Sequence, residues 1–349
     1  MTQHKSLAFR MENIMEEKIE SDEILQRITG QIFIGQSVLV AHEVGLLSLL
    51  STPHSIDELS DSLGLHPRAI QAMVSSAGAM GFVEKRFEKY QLTKVGIFYF
   101  KKSGCFNYGK VLDVLVEQAG IMNYYSVRES ILNNKPQVDG RKDIFANDEV
   151  NIGSRSTFIS ALHHKAYAPS FSWAKKYKLG QSKLFIDIGG GSGIHSIAAC
   201  LNNPGLKAII CERPSVLNFT RGYVEEYNLT ERISFQPIDF LKEEYPEGDV
   251  FFFGDIFHDW DGEKCSLLAR KALKKLPRGG QLILHEMLFN STKTGPFVTA
   301  GYNMKMMSWT EGQQFSFEEI EKILRSAGFE EVTVIETLGT WSIVIGKKI

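Results

Sequence analysis

Apolar and polar positions follow two different rhythms, and the change comes near residue 175. Upstream, apolar residues recur three and four apart. The stretch DEILQRITGQIFIGQSVLVAHEVGLLSLL (22–50) reads as helix on that spacing. SIDELSDSLGL opens with Ser55 and carries Glu58 three residues on, which is a capping-box signature for a second helix. HPRAIQAMVSSAGAMGFV supplies a third helix, and EKRFEKYQLT reads as a short two-stranded wing. Helix, helix, helix, wing is a winged-helix order. Residues 132–151, with Pro136 and Gly140, read as a polar connecting loop. Downstream of residue 183 the rhythm alternates. Strands are expected at KLFIDIG, KAIICE, ISFQPID, DVFFFGD and GQLILHEM, with helices starting near Gly193, Pro214 and Gly262. Such alternation predicts an α/β domain whose parallel sheet is covered on both faces. The tail continues as a helix, SFEEIEKILRSAGF, and then two strands joined through Gly-Thr. That link favours an antiparallel hairpin at the sheet edge. The expected division is a helical domain over 1–170 and a sheet domain over 171–349.

Composition narrows the function classes. With 43% hydrophobic and 23% charged residues among 349, the chain has enough apolar material for two cores. A formal net charge of -2 gives no general attraction to nucleic acid or anionic lipid. The helix after His66 offers only Arg68 to a phosphate backbone, and its remaining residues are mostly small or apolar. Packing or dimerisation suits it better, so the partners expected are a small molecule and a second copy of the chain. Neither nucleic acid nor membrane is expected. A DNA-binding regulator is the alternative from another class. Cys105, Cys200, Cys211 and Cys265 lack CxxC spacing and read as reduced thiols of a cytoplasmic protein. No apolar run approaches the ~20 residues a membrane span needs, and the charged N-terminus lacks a signal-peptide core.

The chemistry concentrates at strand ends. In LFIDIGGGSG, Asp187 precedes Gly189, Gly190, Gly191 and Gly193. Glycines in the first strand-to-helix turn permit positive φ and remove side chains that would block a ligand. The spacing departs from G-x-G-x-x-G and lacks the Lys-Ser/Thr of a P-loop. The second strand ends at Glu212, placed to accept ribose hydroxyls, and the third at Asp239 and Phe240, placed for an adenine. Three acids at consecutive strand ends suit a cationic sulfonium nucleoside better than a pyrophosphate. The cofactor expected is therefore S-adenosyl-L-methionine. Capping of the following turns is the plainer role for Glu212 and Asp239.

Together with FHDWDGEKC, LILHEML and EGQQFSFEEIEKILRSAGF, this segment resembles the S-adenosylmethionine-dependent small-molecule O-methyltransferases of the caffeate and acetylserotonin type and their bacterial natural-product branch. The resemblance covers nearly the whole chain. It implies a Rossmann-like, mostly parallel seven-stranded sheet (the class I methyltransferase fold) behind a winged-helix-like dimerisation and lid domain, acting in secondary metabolism. It implies that His258 is the catalytic base. Independently, His258 follows the fourth strand and carries an imidazole able to take a proton near neutral pH. The resemblance further implies that Glu286 orients His258, that Tyr167 faces the cofactor, and that Phe158, Leu162, His163, Tyr302, Met306, Met307 and Trp309 line an acceptor pocket. His285 should face away from His258 on the strand period. Two positions depart from the family. Gln314 stands where a second glutamate is usual, which leaves C- or N-methylation, or a non-methylating reaction, open beside O-methylation. Asp255 stands where relatives carry a large or basic residue. His163, His164, His258 and Asp259 lack metal-ligand spacing, and no metal is expected.

Overall fold

The computed structural model describes residues 22–101, 106–120, 122–137 and 152–349. They fall into two compact units, Met1–Gly104 and Cys105–Ile349. In the first, α1 (Glu23–Glu43), α2 (Leu46–Leu49), α3 (Ile56–Leu63) and α4 (Pro67–Ala79) precede β1 (Val83–Arg86), β2 (Lys89–Leu92) and α5 (Lys94–Phe100). The sequence signals are realised locally. Ser55 and Glu58 form the capping box of α3, with bonds of 2.6 and 3.2 Å. His66 caps α4, and Pro67 occupies its first turn, where a missing N–H does no harm. The strands β1 and β2 pair antiparallel from Val83↔Leu92 to Arg86↔Lys89. Their turn residues Phe87 and Glu88 both take positive φ, as a tight hairpin of matching twist requires.

The second unit begins with α6 (Gly109–Glu117), α7 (Tyr124–Asn133) and α8 (Ile152–Lys176). Helix α7 runs into the expected polar loop and ends at Asn134, whose left-handed conformation closes it. Of that loop, residues 138–151 lie outside the described residues. The sheet then forms from β3 (Leu184–Ile188), β4 (Lys207–Glu212), β5 (Ile233–Pro237), β6 (Val250–Gly254), β7 (Gln281–Met287), β8 (Glu330–Glu336) and β9 (Trp341–Lys347). Its order is β5-β4-β3-β6-β7-β9-β8. The first five strands are parallel, and β9 runs antiparallel to both β7 and β8. The order reverses beside β3, so the crevice beyond its carboxyl end is where this topology accepts ligands. Between the strands lie α9 (Ile194–Asn202), α10 (Pro214–Glu226), α11 (Gly262–Lys275), α12 (Phe297–Trp309) and α13 (Phe317–Ala327).

Both faces are covered, which explains the uninterrupted apolar run VFFFG of β6. Phe251 and Phe253 pack on one side with Leu268, Leu282, Leu284, Ile320 and Leu324. Phe252 points the other way, with Phe185, Ile283, Ile343 and Trp173. Each fully buried Phe contributes about 1.5–3 kcal/mol relative to an exposed one. Helix α8 joins this second layer: Trp173 stacks on Phe252 at 4.9 Å and donates from Nε1 to His195 at 3.0 Å. Helices α6 and α9 pack against α8, and α7 packs against α12. No helix among the described residues is long and apolar enough to cross a membrane.

Candidate active site

The turn after β3 is built from backbone. Gly189, Gly191 and Gly193 take φ of 67°, 54° and 79°. A Cβ at Gly189 would lie 2.5 Å from Ile256 Cδ1, whereas one at Gly191 would meet nothing within 4 Å. The Gly191 backbone therefore borders open space. Its N–H donates to Glu212 Oε2 at 3.1 Å, and Glu212 Oε1 accepts from the Arg213 N–H at 2.7 Å. Glu212 thus ties the ends of β3 and β4 together, and burial raises its pKa. Asp187 Oδ2 accepts from the Ser196 hydroxyl at 2.7 Å, while Oδ1 is buried without a partner. Burial pushes this carboxyl up to about 7. The Phe240 ring comes within 3.5 Å of the Gly189 Cβ position and meets Trp260 edge-on at 6.3 Å. Asp239 stands at the same rim. Its side chain accepts from the Leu241 N–H at 3.1 Å and pairs with Lys242 at 2.9 Å, so it also serves its own turn. Asp187, Gly189, Gly191, Glu212 and Phe240 come together. An orphaned buried carboxylate oxygen, an open glycine and an acid able to take paired hydroxyls fit a nucleoside with a positive centre.

The second cluster grows from the end of β6. Asp255 takes a φ of 56°, and a short 3₁₀ turn, Phe257–Asp259, then carries His258 inward to 3% exposure. His258 Nδ1 lies 2.6 Å from Glu286 Oε2, and Glu286 Oε1 accepts from the Phe257 N–H at 3.0 Å. Asp259 Oδ1 lies 3.7 Å from Nε2, and Asp255 Oδ1 3.8 Å from Nδ1. Burial disfavours the charged imidazole. The carboxylates of Glu286, Asp259 and Asp255 outweigh it and raise His258 to about 9. Because Glu286 can only accept, a neutral His258 keeps its proton on Nδ1 and offers Nε2 as the acceptor. Gln314 is 1% exposed, and neither polar atom of its carboxamide has a partner. Its loop is pressed onto the His258 turn: a Cβ at Gly312 would lie 2.2 Å from the His258 carbonyl oxygen. His285 faces the other way, stacked on Trp341 at 4.7 Å, as the strand period requires.

Helices α8 and α12 supply the remaining wall. Phe158 stacks on Trp309 at 6.2 Å and 13°, and Tyr302 stands edge-on to His258 at 5.5 Å. Met306 is buried in α12, while Met307 and Leu162 are half-buried. His163 and Tyr167 pack among other rings. His163 stacks on Tyr223 of α10 at 3.9 Å, and its Nδ1 lies 3.2 Å from Ser192 Oγ in the glycine turn. Burial lowers its pKa to about 3, so it is neutral. Tyr167 packs among Phe106, His163 and Phe171.

Lys165 escaped the sequence reading. Its ammonium donates to Asp255 Oδ2 at 2.9 Å and to the Tyr302 hydroxyl at 2.7 Å. The signal was present, since Phe158, Leu162 and Lys165 recur four and three apart on one helix face. A lone lysine reads as solvent-facing, and only Asp255 and Tyr302 bring it inward. Asp255, His258 and Glu286 offer ligand-type atoms within 4.8 Å of one another. Lys165 and the Phe257 N–H already engage the two carboxylates.

Comparison with known proteins identifies the family and the fold. A family model described as an O-methyltransferase domain matches residues 125–330. Acetylserotonin O-methyltransferase of Bos taurus is 33% identical over 172 residues, 49% of this chain and 50% of that protein. That match thus spans about half the length of the relative. A 3-hydroxy-5-methyl-1-naphthoate 3-O-methyltransferase of Streptomyces sahachiroi is 25% identical over 320 residues, 90% of this chain and 91% of the other. Human N-acetylserotonin methyltransferase, solved in complex with S-adenosylmethionine, has the same fold. Its TM-score is 0.82 at 21% identity, over 95% of this chain and 99% of that one.

Proposed function

As this chain belongs to the O-methyltransferase domain family, we propose that it methylates a hydroxyl of a small aromatic acceptor from S-adenosyl-L-methionine, with His258 as general base. The observation that carries this reading is the buried His258 Nδ1···Glu286 contact of 2.6 Å at the ligand end of β6. When bound, the cofactor supplies a methyl group on a positively charged sulfur. Asp187, Gly189, Gly191, Glu212, Asp239 and Phe240 are the residues to hold it. His258 Nε2 takes the acceptor's hydroxyl proton, and Glu286 stabilises the imidazolium that forms. The Phe158–Trp309 pair and Met306 orient a flat ring, and Gln314 offers the acceptor an otherwise unpartnered carboxamide. Holding oxygen and methyl carbon in line supplies ~7–11 kcal/mol in favourable cases. The relative that acts on a naphthoate supports an acceptor of natural-product type.

Residues 1–170 serve, in this reading, as a winged-helix-like dimerisation and lid domain. Support for the dimer comes from α1, which leaves Ile24, Leu25, Ile28, Ile32 and Phe33 more than half exposed. Cys200, Cys211 and Cys265 are buried free thiols, which suits a reducing cytoplasm; Cys105 lies outside the described residues.

Calorimetric titration with S-adenosylhomocysteine tests the cofactor half. Heat at one ligand per chain is expected, and none with NADH; the reverse would end the reading. His258→Gln tests the base and should lower turnover by about 10²–10⁴-fold. The Gln314 departure favours one second reading, methylation at carbon or nitrogen, which fragmentation of the methylated product separates from O-methylation.

A further inference from the structure

The candidate site holds a cation that this mechanism does not use. Lys305 lies on α12, three residues beyond Tyr302 and four before Trp309. Its Nζ is 5.6 Å from the Tyr302 ring centre and 4.8 Å from that of Trp309. The Tyr302 ring meets His258 edge-on, and Trp309 stacks on Phe158. The ammonium therefore stands on the wall running from the imidazole to the aromatic pair. The Lys305 side chain is half-buried. Burial, then the nearby charge of Lys165, pull its pKa down to about 8 against the opposing charges of Asp255 and Asp259, which leaves it cationic at neutral pH.

Matching charges within the site isolates this residue. Lys165 is engaged by Asp255 and His258 by Glu286, while Asp259 stands at His258 Nε2. Lys305 has no ion pair and no hydrogen bond among the described residues. Two ring faces steady its ammonium within the ~6 Å reach of a cation–π contact, without neutralising it. A partly buried charge is unfavourable until an opposite charge reaches it. Asp255 and Asp259 act on Lys305 only through space, so its ammonium has no carboxylate in contact, and the component still to enter is the acceptor.

We propose that Lys305 is the acceptor-recognition residue of this pocket, and that the acceptor is a hydroxylated aromatic acid whose carboxylate pairs with the Lys305 ammonium. This rests on the methyl-transfer reading above and deepens it. The hydroxyl goes to His258, the ring to Phe158 and Trp309, and the carboxylate to Lys305. A neutral phenol of the same shape satisfies the first two and leaves the third unpaired.

The test uses the full chain loaded with S-adenosylhomocysteine. Hydroxybenzoate and hydroxynaphthoate isomers are titrated calorimetrically, each beside its own methyl ester. At least one acid should bind about tenfold or more tighter than its ester, the ratio a charge-assisted hydrogen bond supports. Lys305→Met should erase that ratio while binding S-adenosylhomocysteine as the parent does, which also reports that it folds. Lys305→Arg should keep most of the ratio. Esters binding as well as acids, no binding of any acid, or an undiminished ratio in Lys305→Met would each overturn the assignment. Failure of the parent chain to bind S-adenosylhomocysteine is a different result, and it removes the methyl-transfer reading itself.

Discussion

In the cofactor-free protein His258 is held mainly protonated at neutral pH, and it acts as a base in its neutral form, which the positive charge of a bound cofactor favours. Burial alone would favour a neutral ring, but Glu286, Asp259 and Asp255 hold it up to about 9. An NMR titration of the cofactor-free protein should therefore find a His258 midpoint of about 9, and a midpoint near 6.5 would contradict the geometry. In Glu286→Gln the midpoint should fall, because the largest of the three carboxylate contributions is gone, and turnover should fall with it as the imidazolium loses its partner. The linkage has a definite sign. A folded-state pKa above the unfolded one stabilises the fold fully below about 6.5, and that contribution fades as pH rises through about 9. Urea midpoints at pH 6 and pH 9 should differ less in Glu286→Gln than in the parent. His258 was legible in the sequence because it follows an apolar strand, and Glu286 because it stands at the end of one. Lys165 and Lys305 were not, because a cation on a helix declares nothing until its neighbours are known.

At the level of elements, the site depends on one loop pressed against another. Gly312 sits so close to the His258 turn that its Cβ position falls 2.2 Å from the His258 carbonyl oxygen and 2.5 Å from the Trp260 nitrogen. Gly312→Ala must push the two segments apart. Overpacking of this kind costs about 1–3 kcal/mol, and a shift near 1 Å in a reacting group can lower turnover about 100-fold. Turnover with thermal unfolding checks it: activity should drop far more than stability does, whereas parental activity would show that the contact does not position His258. The sheet shows where pattern reading stops. The Gly-Thr link announced a hairpin, yet left open which of its strands joins β7. The structure inserts β9 and leaves β8 at the edge. The burial patterns agree, since five consecutive residues of β9 are buried and most of β8 is exposed. A strand covered on both faces is apolar throughout, and an edge strand is not.

For the molecule as a whole, association is the property to measure. Light scattering at micromolar concentration should give the mass of two chains. Ile28→Glu with Ile32→Glu should shift it toward one, by placing two charges on the exposed apolar face of α1. A monomer in the parent chain would remove the dimer from the reading. The sequence by itself determined the alternation of strand and helix, the glycine turn and the acids at strand ends. Each is a local matter of period, backbone freedom or side-chain type, and each survives whatever the neighbours do. Tertiary structure alone decided the charges that act together. It brought Lys165 onto Asp255 across 90 positions of sequence and set His163 against Ser192 of the glycine turn. Whether an ionisable group is buried, and beside what, depends on contacts between elements far apart in the chain, and no local pattern encodes them.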